Sequence, residues 1–470
     1  MKNVLIIGAG VAGQIAVLLI QNNENLVRLY NVVGFLDDNP SLEYILDFHV
    51  LGRIDEAPSI IKKHSIDEVL IAIPSADDET IKKIFKIVLP LKVQVKIVPG
   101  FYEIVEGSFD LRQVRKVNFD DLLGREEVGF DIETISSFYE GKKIFVTGGG
   151  GSIGSEIVNQ ILLLPIKEVV VFGHGENSIH LLLTRHREVE KLRYVIGDIR
   201  DIKKLRYEMK RFSPDIVFHA AAHKHVPLME KYSDEAVKNN IIGSFNVALV
   251  SIENNVKNFV FISTDKAINP KSVMGATKRI AERIVLSFNR FNKTCFNVVR
   301  FGNVLGSRGS VALLFKEQIE SGGPVTVTHP EVTRYFMSIR EASRLVIKSA
   351  TISEGDIFVL DMGKPIKILD LAKNMLYMYG YNEDEIPIIF TGLRKGEKLY
   401  EEIMSKREDL VLSKFEKLFI SKEKEEAFSK KKIYRMIREF EKVVDTFDKK
   451  KILMTIKKYC EEYTPEESYE

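Results

Sequence analysis

The sequence predicts an α/β protein made of two doubly wound parallel-sheet domains, the second carrying a smaller lobe. Three observations carry this expectation. Strand-like apolar runs alternate with helix-compatible stretches up to about residue 305. A glycine-rich turn follows a strand twice, near the start of the chain and again at Thr147. Each turn opens a helical stretch, which is the order in which a parallel sheet is wound.

The first unit begins with "VLIIGAGVAG", Val4 to Gly13, a buried-strand run ending in G-x-G-x-x-G. The stretch "QIAVLLIQNN" continues as helix, and "VVGFLDD" forms a second strand ending in Asp37 and Asp38. Strand, tight turn, helix and acidic strand end are the parts of a dinucleotide-binding, Rossmann-like unit, in which glycines let a backbone approach phosphates at a helix N-terminus. "DEVLIAIP" and "VQVKIVPG" add strands, giving a domain over 1–104 of nucleotide- or CoA-binding type. Its glycine turn serves either a ligand or the fold alone. Residues 105–140 are polar and weakly periodic and read as a connector.

The pattern restarts with "KKIFVTGGGGSIGSEIVNQILLL", whose T-G-x-x-G-x-x-G runs through Thr147, Gly148, Gly151 and Gly154. Strand-like runs recur at "EVVVFG", "RYVIGD", "DIVFHAAA", "NFVFIST" and "FNVVRFGNV". The second domain, 141–405, is thus Rossmann-like, with mixed segments beyond residue 305 forming a substrate-binding lobe. Residues 406–470 are rich in lysine and glutamate at helical spacing, as in "IYRMIREFEKVV", and read as an amphipathic cap or an oligomer contact.

Composition narrows the class. The chain has 470 residues, 45% hydrophobic and 29% charged, with a net charge of +2, which gives no reason to expect nucleic acid as partner. The two cysteines, Cys295 and Cys460, form no metal pattern, and so low a count suits a reducing compartment. No metal is expected. No apolar run reaches the roughly 18 residues needed to span a bilayer, and no signal-peptide pattern opens the chain. A cytoplasmic protein is the expectation.

The chemistry concentrates in "STDKAINPKSVMGATKR". The strand "NFVFIST" delivers Thr264, Asp265 and Lys266 at its C-terminal end, where doubly wound sheets place their ligands. A carboxyl beside an amine suits paired acid and base work. Met274 and Lys278 stand one helical turn apart and share a face. At the end of the second strand of this domain stands Gly173, followed by His174 and Glu176, where a carboxylate usually takes the ribose hydroxyls. Its absence favours NADP over NAD.

Seven segments in order, "TGGGGSIGSE", "PDIVFHAAAHKHVPLME", "STDKAINPKSVMGATKR", "RFGNVLGSRGSV", "HPEVTRYFMSIREA", "DMGKPIKILDLA" and "TGLRKGEKLYEE", resemble the long-chain UDP-N-acetylglucosamine 4,6-dehydratases of the extended short-chain dehydrogenase/reductase superfamily. The resemblance covers about 105–420, and residues 1–104 resemble the extra domain of these long forms. Long relatives often carry membrane-spanning helices at the N-terminus; this chain shows none, so a soluble member or a soluble portion is expected.

The resemblance implies a bound NADP or NAD regenerated in each turnover. Thr147, Gly148, Gly151, Ser152, Ile153 and Gly154 would hold its pyrophosphate, and His174 and Glu176 its ribose. Asp198 and Ile199 would meet the adenine, Ala220, Ala221 and Ala222 would line the sheet edge under the cofactor, and Asn240 would contribute from the helix packed under that sheet. Lys278 would bind the nicotinamide ribose. Asp265 would be the acid at C6 and Lys266 the base at C5, with the lysine pKa lowered toward neutrality by burial and by Lys278. Met274 stands where the superfamily usually has tyrosine, as in the long dehydratases; the C4 hydroxyl proton passes to Thr264, Asp265 or a water. Lys224, Asn303, Arg308, Arg334, Arg394 and Glu397 would bind the UDP-sugar, with Glu397 orienting an arginine. A homo-oligomer, a dimer or a multiple of one, would form through two helices, one bearing Lys278. The rivals are a 4- or 5-epimerase on the same fold and a nucleotide-sensing protein without catalysis.

Overall fold

A computed structural model describes residues 1–73, 76, 78–98, 115–116, 129, 132–187, 189–352, 357–402, 409–422 and 427–465. By compactness the chain divides into two units. The first comprises Met1–Gly129, Val311–Pro330 and Lys367–Thr391; the second comprises Phe130–Ser310, Glu331–Ile366 and Gly392–Glu470.

In the first unit, β1 (Lys2–Ile7) is the apolar run of the opening motif, and the helix Val11–Gln21 follows its glycine turn. β2 (Tyr30–Leu36), β3 (Tyr44–Ile45), β4 (Phe48–Gly52), β5 (Glu68–Ile71), β6 (Gln94–Ile97) and β7 (Arg115–Lys116) complete a seven-stranded sheet of order β3-β4-β2-β1-β5-β6-β7. The pairs from β4 through β6 are parallel, and the two edge strands are antiparallel. The order reverses at β1, so the crevice falls between β1 and β5 beside the glycine turn. Most of the connector 105–140 lies outside the described residues. The segments Val311–Pro330 and Lys367–Thr391 contribute the helices Val311–Glu320 and Ile368–Met378 and a short parallel pair, Val325–Val327 with Ile388–Phe390.

The second unit holds β8 (Lys143–Thr147), β9 (Glu168–Gly173), β10 (Leu192–Ile196), β11 (Ile216–His219), β12 (Asn258–Ile262) and β13 (Cys295–Arg300). They align as β10-β9-β8-β11-β12-β13, all parallel, and the sheet continues through Ile357–Leu360 to two antiparallel strands, Leu418–Ser421 and Leu410–Leu412. β8 and β11 are neighbours although β9 and β10 come between them in the chain, which marks the switch point where such sheets bind ligands. The expected α/β class with two doubly wound parallel sheets is therefore observed.

The C-terminal stretch forms two helices, Lys430–Val444 and Lys449–Tyr459, capped by the Ser429 and Asp448 side chains. Ile433, Met436, Ile437, Phe440 and Val444 recur at helical spacing and are buried in the same core as Ile280, Ala281, Ile284 and Val285 of the helix Val273–Ser287. That helix bears Lys278, and all of its residues except Arg279 and Arg283 are buried. Arg279 bonds Glu462 and Arg283 bonds the Tyr459 carbonyl. The helix that bears Lys278 is thus packed against the chain's own C-terminal helices. Among the described residues, no helix is long and apolar enough to cross a membrane.

Candidate active site

The cradle at the switch point is built by backbone. Gly148 has φ +66°, and a Cβ there would lie 2.6 Å from the Ala221 amide nitrogen and 2.7 Å from the Ala220 carbonyl carbon. Only glycine satisfies both the torsion and the approach. A Cβ on Gly154 would meet the Gly148 carbonyl at 2.3 Å, so the helix Ser152–Ile161 packs directly on the turn. Its N-cap, Gly151, brings no side-chain cap. The first amides of the helix are thus open to an anion, and these residues fit a dinucleotide pyrophosphate. Ile153 lies in this first turn, and the Ser152 hydroxyl accepts from the Arg308 amide at 3.0 Å, tying the turn to the loop after Asn303.

Behind the cradle, Thr147 Oγ1 meets His219 Nδ1 at 2.6 Å, and His219 Nε2 meets Ser244 Oγ at 2.9 Å. Burial, then the charge of Lys278, pushes the His219 imidazole well below its usual pKa, so it is a neutral bridge. Asn240 accepts from the His223 amide at 2.8 Å and donates to the His223 carbonyl at 3.0 Å and to Thr277 at 3.2 Å. It thereby clamps the loop carrying Ala220, Ala221 and Ala222 to the Lys278 helix. Asn240 stands in a widened π-type turn, Val237–Gly243, a form that recurs at functional sites.

At the far end of the cradle β9 ends at Gly173, and His174 and Glu176 are exposed just beyond it. Asp198 is bound by a residue that the sequence reading missed, Arg200, whose Nη2 lies 2.6 Å from Asp198 Oδ2. Burial pushes the Asp198 carboxyl up, but the bonds from Arg200 outweigh it and hold the group below its ordinary value. Ile199 is buried against Gly243, where a Cβ would come within 2.6 Å of its Cδ1.

The reacting end lies where β12 runs out. Thr264 caps a short turn, Asp265–Ala267, and its hydroxyl donates to Asp265 Oδ1 at 2.8 Å. Lys266 Nζ donates to the same oxygen at 3.0 Å and to Asn303 Oδ1 at 3.0 Å. Asp265 is 1% exposed, and among the described residues its Oδ2 has no hydrogen-bond partner. Two donors on one oxygen leave the other free for a reacting group. The Lys278 helix presses on this turn: a Cβ on Gly275 would meet the Lys266 carbonyl at 2.1 Å. Met274 is 3% exposed and belongs to the hydrophobic core cluster.

Lys266 departs from its expected lowered pKa. Burial pulls the Lys266 ammonium down, but Asp265 and then Glu401 outweigh it and hold the pKa above its ordinary value. The cation that opposes them is Arg334. Lys278 is the lowered amine. Its Nζ lies 3.8 Å from the Phe261 ring centre and donates to the Ile262 carbonyl at 2.7 Å, and burial brings its pKa to about 7. The reason is local: Lys266 has two carboxylates within reach, whereas Lys278 feels Glu282 only at a distance.

Arg334, a candidate phosphate contact, has several partners within the protein. It is 6% exposed, donates to the Thr333 and Leu399 carbonyls and pairs with Glu397 at 3.0 Å. Its fork is committed within the protein, while Arg308 and Arg394 are exposed. Glu397 does orient an arginine, and its Oε2 also accepts from the Arg394 amide at 3.2 Å. Lys224 Nζ donates to Ser307 at 3.3 Å, and burial followed by the charge of Lys266 lowers its pKa. Glu401, four residues beyond Glu397, was not singled out from the sequence; it is 8% exposed and sits beside both Lys266 and Arg334. In the first unit, Asp37 Oδ2 accepts from the Ala9 amide of the glycine turn at 2.8 Å and Asp38 Oδ1 from the Ile54 amide after β4 at 3.0 Å, so both carboxylates tie the end of β2 to neighbouring turns.

The polysaccharide biosynthesis protein family matches residues 144–423, and a CoA-binding domain matches residues 1–99. The chain is 48% identical to the probable polysaccharide biosynthesis protein EpsC of Bacillus subtilis over 86% of this chain and 68% of that protein. It is 46% identical to the capsular polysaccharide biosynthesis protein CapD of Staphylococcus aureus over 87% of this chain and 69% of that protein. Among solved structures it is similar to Pen from Bacillus thuringiensis, with 35% identity and a TM-score of 0.56, over 65% of this chain and 99% of that one. With a family match that spans the whole acid–base and glycine-turn constellation, the chain belongs to the polysaccharide biosynthesis protein family.

Proposed function

We propose that the protein is a nucleotide-sugar 4,6-dehydratase, a hydro-lyase that converts UDP-N-acetylglucosamine to a UDP-4-keto-6-deoxy-N-acetylhexosamine for surface polysaccharide synthesis. One observation carries the reading: a buried carboxyl and an amine, Asp265 and Lys266, are bonded to each other, and the amine also to Asn303, at the ligand-facing end of β12. The C5 hydrogen of a hexose is not acidic until C4 is a ketone. Thr147, Gly148, Gly151 to Gly154 and Lys278 would hold a nicotinamide dinucleotide, which when bound would supply that oxidation and the hydride for C6. Gly173 and His174 at the ribose end support NADP over NAD.

The chain's own residues carry the protons. Lys266 takes the C5 proton. The free Oδ2 of Asp265 delivers a proton to the departing C6 hydroxyl, which leaves as water. Thr264 and Lys266 fix that carboxyl by bonding its other oxygen. Lys278, with a pKa of about 7, supplies a tunable charge beside the C4 hydroxyl. Asn303, Lys224, Arg308 and Arg394 face the sugar nucleotide.

The test is mass spectrometry of the product from UDP-N-acetylglucosamine. Loss of one water without net cofactor consumption is expected, and a product of unchanged mass would indicate a 4- or 5-epimerase. Lys266→Ala and Asp265→Asn are expected to abolish elimination while the cofactor stays bound. Near-normal turnover in either would overturn the assigned roles.

A further inference from the structure

Lys266 poses a difficulty that Asp265 does not resolve. A base at C5 must begin neutral, yet the amine donates to Asp265 and to Asn303 and its surroundings favour the ammonium. Asp265 can take the Lys266 proton only if the C4 hydroxyl proton goes elsewhere; where Asp265 receives the C4 proton and delivers it at C6, the amine needs a second carboxylate. The charged groups around the amine are Asp265, Glu401, Arg334 and Lys224. Glu401 Oε1 lies 3.4 Å from Lys266 Nζ and 3.8 Å from Arg334 Nε. Its side chain is 3% exposed, and among the described residues its Oε2 has no hydrogen-bond partner. A buried carboxylate with an open oxygen is costly to maintain for structure alone, because the unpaired oxygen has lost its water.

We propose that Glu401 is a positioning carboxylate that accepts the Lys266 proton, so that the amine can act as the base at C5. This rests on the dehydratase reading. The step balances within the pair. The Lys266 N–H bond breaks and a Glu401 O–H bond forms, giving a neutral amine and a neutral acid. The amine then takes the C5 proton as the electrons move into the ketone, gives a proton back to C5 when hydride reaches C6, and regains its own from Glu401, which restores the starting charges. Exclusion of water by substrate favours the neutral pair over the ion pair, since desolvation disfavours both charges together. Arg334, fixed by Glu397 and two carbonyls, holds Glu401 in line without reaching Lys266 itself. The sign of the effect separates this role from a purely electrostatic one. Removing a passive negative charge would ease deprotonation of Lys266 and raise activity at lower pH, whereas removing a proton acceptor lowers turnover.

The experiment compares the full chain with Glu401→Gln and Glu401→Asp, after cofactor retention and melting have shown each to be folded. Steady-state kcat and KM are measured between about pH 6 and 10, with entry of solvent deuterium at C5 and formation of reduced cofactor read separately. Glu401→Gln is expected to lower kcat roughly 100-fold with KM little changed, the scale of a lost proton-transfer partner. Cofactor reduction should persist while deuterium entry at C5 stalls. Glu401→Asp withdraws the carboxyl by about 1.5 Å, one C–C bond, and should lose roughly tenfold in kcat at unchanged KM. Turnover within twofold of wild type in either folded variant overturns the proposal, and so does a loss confined to KM. If wild-type protein yields no dehydrated product, the dehydratase reading fails first; if it does and Glu401→Gln matches it, only the role of Glu401 fails.

Discussion

Replacement of Lys278 by methionine tests the electrostatics of the site through stability, independent of turnover. The wild-type amine is buried, 4% exposed, and its pKa falls from an ordinary 10.5 to about 7. Below about pH 7 the lysine is charged in both folded and unfolded chains, and above about 10.5 it is neutral in both. Between these limits the unfolded chain holds a proton that the folded chain has released, so wild-type stability gains with rising pH. Each pH unit contributes about 1.4 kcal/mol, and the window from 10.5 to about 7 sums to roughly 5 kcal/mol. Methionine keeps most of the volume and removes the proton. A constant offset remains from the lost bond to the Ile262 carbonyl and the contact with Phe261. The difference in unfolding free energy between the two proteins should therefore shift toward wild type as pH rises across the window. Guanidinium melts of both proteins at several pH values, extrapolated to water, measure it. Two curves that stay parallel from pH 7 to 10 would refute the reasoning, because they would mean that Lys278 keeps its proton when buried.

Three further outcomes are expected. Gly148→Ala meets the Ala221 amide nitrogen at 2.6 Å in a left-handed conformation, so it should lose the bound dinucleotide; purified variant carrying the wild-type cofactor content would contradict this. Glu282→Gln removes the negative charge that accepts from Arg300 at 2.9 and 2.8 Å, both residues being buried, and should cost about 3–5 kcal/mol in chemical denaturation by leaving the buried guanidinium charge uncompensated at that contact. Phe440→Ala empties a 0% exposed position where the C-terminal helix meets the Lys278 helix core, and a loss of about 3–5 kcal/mol is expected in the same assay. A loss below about 1 kcal/mol would mean that the C-terminal helices are not part of that core.

Both glycine turns, the strand alternation and the Asp265–Lys266 step could be read directly from the chain. Each is a local pattern: a turn needs its glycines within a few residues, and a strand end fixes where its next residues emerge. Gly148 is legible because one position must satisfy both a torsion and a contact, and only one residue type can. Glu397 could be assigned to an arginine because both lie in polar segments of the same resemblance, although which arginine it meets depends on where the chain returns.

Three features followed from packing between distant segments. The Lys266 pKa was expected to be lowered and is instead held up, because a pKa depends on carboxylates at any sequence distance, and Glu401 lies 135 positions beyond Lys266 (401 − 266). Arg334 reads as a free phosphate ligand until Glu397 and two carbonyls are found at its fork. The amphipathic spacing of residues 430–444 announced an apolar stripe without naming what it covers. Periodicity tells which face of a helix must leave water. Which surface receives that face is settled by the cooperative fit of segments that meet only when the whole chain has folded.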